Sequence, residues 1–190
     1  MYSLAAPPSP VARQYFGRRS YLPSKESSLW RIESGLVRTL TWLEDGSVIT
    51  LGLWGKGDVV GQGLSQVEPY QMECLSKVEI TPIAHWQQDA TLWRDHLHQY
   101  EGFMLIRSQK RVDTMLLHLL NWLAKKCGRE VREGQMIDLR LTHQDIAEIL
   151  GTTRVTVTRT LNQFEQQGMI TRLPLQRIVL KEEETWHYQI

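Results

Sequence analysis

The residues between 154 and 163 combine side chains that could bind nucleic acid. Two arginines, Arg154 and Arg159, stand five positions apart. A guanidinium group presents parallel N–H donors that match O6 and N7 of guanine, and threonine hydroxyls can bind phosphate oxygens. An ordinary solvated helix face is the alternative. The residues that we expect to contact double-stranded DNA are Arg154, Val155, Thr156, Thr158, Arg159 and Gln163, together with Thr142 and Thr153.

Residues 141–170 carry the signals of two short helices that would position these side chains. Thr142 followed by Asp145 resembles a capping box, and Gly151 allows the left-handed backbone of a tight turn. Thr153 can cap the next helix. The segment therefore predicts a helix-turn-helix whose second helix enters the major groove. The apolar residues that would anchor this second helix, spaced four and three apart, are Val157, Leu161 and Phe164.

The chain after Gly168 is predicted to add a small hairpin, or wing. Its arginines, Arg172 and Arg177, could contact backbone phosphate. The stretch from 129 to 135 is polar and is predicted to be an exposed connection. Residues 128–190 are therefore expected to form a winged helix-turn-helix domain that binds DNA.

Residues 89–127 are predicted to form one long helix, because they contain no proline and a single glycine. Apolar residues recur along it at spacings of seven, four, three and four. Since a helix that is apolar on two sides must bury both, one side would cover the strands and the other would pair with a second chain. A single buried core helix is the alternative to this homodimer. The residues predicted for the dimer seam are Leu105, Val112, Leu116, Leu119 and Leu123.

Residues 14–88 are predicted to form an antiparallel β-barrel. Short, partly alternating apolar runs are separated by turn residues, and Asp45-Gly46 between two such runs is a strong hairpin signal. Residues 1–13 contain three prolines and are expected to be a flexible leader. The whole chain is therefore predicted to be of the α+β class.

Composition limits the class of protein. The 190 residues carry a net charge of +1 and are 42% hydrophobic, so a DNA-binding surface must be a local patch. The two cysteines, Cys74 and Cys127, cannot supply a four-cysteine metal or iron–sulfur site. The N-terminus lacks the apolar region of a signal peptide, and no apolar run approaches the roughly 20 residues that span a bilayer. We expect a cytoplasmic protein with no membrane partner.

An enzyme is not expected. A cupin-like active site needs clustered histidine and glutamate ligands, whereas the strand region before Trp86 contains only His85. His96 and His98 are two apart on a predicted helix and face different ways. No phosphate-binding loop or Ser-His-Asp arrangement is present. A cupin-like module that binds a ligand or a protein partner, without DNA activity, is the alternative function.

The sequence resembles the CRP/FNR family of bacterial regulators. The motif IDLRLTHQDIAEILGTTRVTVTRTLNQFEQQGMI carries the resemblance, and LWRIESGLVR with LEDGSVITLGLWGKGDVVGQ is similar to the family's sensor barrel. The resemblance implies a cyclic-nucleotide-binding-like barrel, a dimer on inverted-repeat DNA, contact with RNA polymerase and a role as an activator. The segment TRVTVTR is most similar to the nitrogen-control (NtcA) branch.

The resemblance also implies an operator. Cyclic-AMP-dependent members carry a glutamate at the position of Val155, and that glutamate would accept a hydrogen bond from cytosine. Valine prefers the thymine methyl group, so a G·C pair should become an A·T pair. With Arg154 reading guanine, the predicted site has GTA half-sites repeated as an inverted TAC.

The family's effector residues are largely missing. Members that bind cyclic nucleotide carry a glutamate where this chain has Gln62, and the segment 70–74 lacks the arginine that would balance a cyclic phosphate. Haem ligation through His85 or Cys74 is one alternative, and binding of 2-oxoglutarate, as in the nitrogen-control branch, is another. No cofactor or metal is expected, and the effector stays unidentified. The candidate effector residues are Gly61, Gln62, Gly63, Arg107 and Arg111, beside Lys110.

Overall fold

The fold joins a strand-rich N-terminal half to a helical C-terminal half. A computed structural model describes residues 13–24, 29–83 and 89–181; most of the predicted leader, His85 and the chain after Lys181 lie outside these ranges. The strands are β1 (Gln14–Phe16), β2 (Leu29–Ser34), β3 (Val37–Trp42), β4 (Val48–Trp54), β5 (Val59–Val60), β6 (Gln71–Cys74), β7 (Val78–Ile83), β8 (Gly128–Val131), β9 (Gly134–Ile137), β10 (Ile170–Leu173) and β11 (Arg177–Lys181). The helices are α1 (Ala90–Arg107), α2 (Val112–Cys127), α3 (His143–Leu150) and α4 (Arg154–Gln166).

The first seven strands form two antiparallel sheets, with strand orders β1-β7-β2-β5 and β4-β3-β6. Alternate residues of both sheets meet in one apolar core that includes Trp30, Trp54 and Met72. Trp54 donates from Nε1 to Thr39 Oγ1 at 3.0 Å and stacks on His96 of α1, with ring centroids 4.3 Å apart. The predicted antiparallel N-terminal architecture is confirmed, and two tryptophans lie among the aliphatic side chains of its core.

The predicted long helix is two helices, and the prediction of a continuous helix over 89–127 was wrong. Helix α1 ends at Arg107. Arg111 has an extended backbone conformation and is the N-cap of α2. Ser108 Oγ and Gln109 Nε2 both donate to the carbonyl oxygen of Leu105, at 3.0 and 3.1 Å. Because these side chains donate hydrogen bonds to a carbonyl oxygen in the last turn of α1, the helix can end there without glycine or proline.

The stretch after α2 is also more ordered than predicted. Its charged residues are exposed as predicted, but the stretch forms the hairpin β8–β9 and not an irregular connection, and β9 pairs with β11 of the wing. The result is a four-stranded sheet in the order β10-β11-β9-β8. The predicted end of the helix at Cys127 and the predicted wing hairpin are both confirmed.

One apolar core joins the helical half to the strands. Leu36, Leu53 and Leu75 of the N-terminal half pack in the same cluster as Phe103 of α1 and the buried residues of α2, α3 and α4. The elements predicted to bind DNA therefore rest on the sheet as well as on each other. None of the helices in the described ranges is long and apolar enough to cross a membrane.

Candidate nucleic-acid interface

The helix-turn-helix is built by its capping residues. Thr142 Oγ1 accepts from the backbone N–H of Asp145 at 3.0 Å, and Asp145 Oδ2 accepts from the N–H of Thr142 at 2.8 Å, which completes the predicted capping box. Gly151 ends α3 in the left-handed region, with φ of 69°. Thr153 Oγ1 then accepts from Thr156 N–H at 3.1 Å and starts α4.

The inner side of α4 fixes which residues face outward. The predicted anchors Val157, Leu161 and Phe164 are all buried, and they pack against the apolar side of α3. Consequently the opposite side of α4 is open to solvent. Val155, at the start of this open side, is 77% exposed.

The exposed side of α4, here called the reading face, forms an open concave surface of about 780 Å³. It collects five predicted residues, and Asn162 and Gln166 join them without having been predicted. Asn162 lies seven residues after Val155 and Gln166 seven after Arg159, and this helical spacing could have revealed them. The residues of the reading face are Arg154, Val155, Thr158, Arg159, Asn162, Gln163 and Gln166.

The arginines of the reading face have donors to spare. Within the described ranges, neither Arg154 nor Arg159 joins an ion pair, and no side-chain hydrogen bond to another described residue occupies their guanidinium groups. By contrast, Arg172 of the wing donates from Nε and Nη2 to Glu165 Oε2, at 2.9 and 2.5 Å. The reading face can therefore offer both guanidinium groups to base edges without first breaking an ion pair.

The predicted threonines are engaged in different ways. Thr142 and Thr153 are helix caps, and Thr153 Oγ1 lies 2.9 Å from Thr156 Oγ1. Thr158 is half-buried, with its hydroxyl between the carbonyl oxygen of Arg154 and the imidazole of His143. His143 was not predicted as a functional residue, because a lone histidine at the start of a helix gives no signal in the sequence.

The N-terminal end of α3 is clamped by arginines from the strand half. The carboxylate of Asp145, which is completely buried, receives Arg18 Nη2 at 2.7 Å and Arg19 Nη2 at 2.5 Å. Arg19 reaches on through Nη1 to Glu73 at 2.9 Å. One carboxylate thus both caps α3 and ties it to the turn after β1.

A third arginine, Arg38, is buried and continues this contact along α3. Arg38 lies between Glu73, whose Oε2 is 2.7 Å from its Nε, and Glu148, whose Oε2 is 2.6 Å from its Nη1. The contact to Glu148 is an ion pair without hydrogen-bond alignment. Three arginines and three carboxylates therefore form a network at the boundary between the sheet and α3, in which the positive and negative charges are equal in number.

Comparison with known proteins agrees with this geometry. The model of the Crp-like helix-turn-helix domain matches residues 110–185. The regulatory protein CysR of Synechococcus elongatus is 41% identical over 179 residues, which cover 90% of this chain and 86% of that relative. The chain belongs to the CRP/FNR family. A global nitrogen regulator of Nostoc is 39% identical over 73 residues, 38% of this chain and 33% of that relative.

A solved CRP/FNR-family transcriptional regulator from Thermus thermophilus has the same fold, with a TM-score of 0.69 at 22% identity. The match covers 90% of this chain and 94% of that one. The chain is accordingly a DNA-binding transcriptional regulator of the CRP/FNR type. The alternative function, a ligand- or partner-binding module without DNA activity, is not supported.

Three of the five residues predicted for the dimer seam lie inside the chain. Leu116, Leu119 and Leu123 are completely buried within one chain, so they are not exposed for contact with a second one. They form the inner side of α2, against the helix-turn-helix. Val112 is half-buried at the start of α2, and Leu105, on α1, is the one predicted seam residue with a largely exposed side chain.

The candidate effector residues are not gathered around one described cavity. Gln62 accepts from Ser24 Oγ at 3.0 Å, whereas Arg107 Nη1 donates to the carbonyl oxygen of Thr50 at 2.8 Å. Arg111 is exposed and pairs with Asp113. The assignment of Gly61, Gln62 and Gly63 with these two arginines to an effector pocket stays a prediction.

Proposed function

We propose that this regulator binds an inverted-repeat DNA site as a homodimer, with the reading face of each chain in a major groove. The carrying observation is the composition of that face: an exposed valine stands between two arginines whose guanidinium groups have no ion pair among the described residues. Arginine suits guanine, and an exposed aliphatic side chain suits the thymine methyl group. Apart from Thr158, whose hydroxyl is engaged by Arg154 and His143, the remaining polar residues of the reading face, with Thr142 and Thr153, would contact the DNA backbone.

The proposed operator contains GTA half-sites and their inverted TAC. Arg154 reads guanine, and Val155 contacts thymine at the position where cyclic-AMP-dependent relatives use glutamate. Each residue therefore accounts for one base pair. Contact with RNA polymerase, and action as an activator, stay predictions.

The second copy of the chain is proposed to pair along α1. Its exposed apolar residues follow a spacing of four, three and four, which is the pattern of a coiled-coil seam. The opposite side of α1 is occupied by the strands, since Leu92, Phe103 and Ile106 are buried there. This exposed set, here called the α1 stripe, consists of Trp93, Leu97, Tyr100 and Met104. Leu105 is also exposed and lies beside the stripe, outside this spacing.

Pairing along α1 would set the distance between the two reading faces. They must lie about 34 Å apart to enter successive major grooves on one side of the DNA. The ion pairs between the sheet and α3 support this arrangement, because they hold each helix-turn-helix on the half of the chain that carries α1.

The test is selection of binding sites from random duplexes. The wild-type protein is expected to select GTA half-sites as an inverted repeat, whereas Val155→Glu is expected to exchange the A·T pair for G·C and give GTG. Arg159→Ala should lose most specific binding, and Arg13→Ala, which removes one charge from the strand half, should not. Selection of GTG half-sites by the wild-type protein would contradict the role of Val155.

A further inference from the structure

His143 is joined to the reading face by a short hydrogen bond. Its Nδ1 lies 2.7 Å from Thr158 Oγ1, and Thr158 Oγ1 lies 2.9 Å from the carbonyl oxygen of Arg154. The three groups form a chain from the start of α3 to the first turn of α4. Two of them, Arg154 and Thr158, belong to the reading face.

This chain of contacts favours one position for the histidine proton. A carbonyl oxygen can only accept, so the single hydroxyl hydrogen of Thr158 is donated to Arg154. The hydroxyl oxygen must then accept from His143, which requires a proton on Nδ1. In the neutral imidazole the other nitrogen, Nε2, is left as an acceptor, which cannot bind a phosphate oxygen.

The surroundings of His143 favour an anion. Together with Arg172 of β10 and Arg177 of β11 it lines a cavity of about 290 Å³ between the helix-turn-helix and the wing. The carboxylate of Glu165 is held by Arg172, and Arg177 uses only its Nε, on the carbonyl oxygen of Pro174 at 3.2 Å, among the described residues. A phosphate oxygen would therefore meet cationic donors here.

We propose that DNA binding protonates His143, so that Nε2–H donates to a backbone phosphate while Nδ1–H stays on Thr158. One proton is taken up from solvent for each chain that binds, and no covalent bond changes. The inference rests on the proposed function, since it needs the reading face to lie in a major groove beside that phosphate.

The surroundings of His143 in the free protein favour the neutral imidazole, which can take up a proton on binding. Burial, and then the positive charges of Arg172 and Arg154, lower the pKa of His143 below its ordinary value of 6.5. A neighbouring phosphate would raise this pKa in the complex. The gain in affinity is therefore fully present below the pKa of the free protein and is lost as the pH rises through the pKa of the complex.

The first measurement is operator affinity against pH at constant ionic strength, from about pH 5.5 to about pH 8.5. The probe is the duplex obtained by the selection described above. Between the two pKa values, wild-type affinity is expected to fall by up to tenfold per pH unit for each chain bound. In His143→Asn, whose amide can still donate to Thr158, this dependence should disappear. The matched control, His118→Asn on α2, should keep it.

The second measurement is the tautomer of His143 in the free protein, read from its ring nitrogen NMR signals. A neutral ring with the proton on Nδ1 supports the inference, and a proton on Nε2 overturns it. Equal pH dependence in the wild-type protein and His143→Asn also overturns it, while leaving specific binding intact. Absence of specific binding at every pH would instead overturn the proposed function, and the inference with it.

Discussion

Helices α1 and α2 are neighbours in the sequence, and both carry apolar residues at helical spacings, but they use them differently. α2 buries Leu116, Leu119 and Leu123 within the chain, whereas Leu97 of α1 is 53% exposed and Met104 is 48% exposed. The four non-helical residues between the helices interrupt the helical repeat, so the apolar residues of α1 and α2 do not lie on one continuous helix face. Helical spacing therefore identifies an apolar face, but the partner of that face depends on how each helix packs.

The largest effect should come from the α1 stripe. Leu97→Glu introduces a charge where the second copy is proposed to pack, so the dimer should dissociate. A single chain reads one half-site, and operator affinity should fall on the order of 100-fold or more through loss of bivalent binding. Sedimentation of the protein and titration of the operator measure both effects. His98→Glu, also exposed on α1 but outside the stripe, should leave the dimer intact; dissociation in both variants would contradict the assignment.

The next effect concerns the ion pairs that attach α3 to the sheet. Helix α3 also packs against α2, so these ion pairs belong to the buried side of the comparison. Arg38→Met leaves Glu148 and part of Glu73 without a buried positive partner, and the free energy of unfolding should fall by about 3–5 kcal/mol. Chemical denaturation measures this loss. The exposed pair between Arg13 and Glu79 provides the contrast, because Arg13→Ala should change stability by less than about 1 kcal/mol.

A leucine in each helix compares the two environments directly. Leu119→Ala should lower the free energy of unfolding by about 2–5 kcal/mol, because it opens a cavity in the core of the helical half. Leu105→Ala on α1 should change it by about 0.5 kcal/mol or less, since the side chain is 45% exposed. Similar losses in denaturant titrations of the two variants would show that α1 is covered within the chain.

Two glycines give the smallest effects, of opposite sign. Gly151→Ala places a Cβ in a left-handed turn, 2.8 Å from Arg107 Nη2, and should cost about 1–2 kcal/mol. Gly102 lies inside α1 with open space around it, so Gly102→Ala should add about 0.5–1 kcal/mol. Thermal unfolding of both variants gives the two signs, and a stabilised Gly151→Ala would contradict the role of the turn.

The helix-turn-helix could be predicted from the sequence because its signals are local. The capping box at Thr142, the left-handed Gly151 and the cap at Thr153 each depend on residues within four positions of one another. The same holds for the arginines of the reading face, whose outward direction follows from the apolar residues on the other side of α4. The hairpin β8–β9 was missed because its residues are polar, and pairing with β11 stabilises it.

The sequence alone determined the fold class, the family and the side of α4 that is open to solvent, since capping, turn and helical-spacing signals act over a few residues. Only the tertiary structure decided where the long helical segment breaks, which apolar stripe stays exposed, and that His143 meets Thr158 fifteen positions away. The physical reason is that these features depend on burial and on contacts between distant segments, including the arginines that grip Asp145 from the other end of the chain.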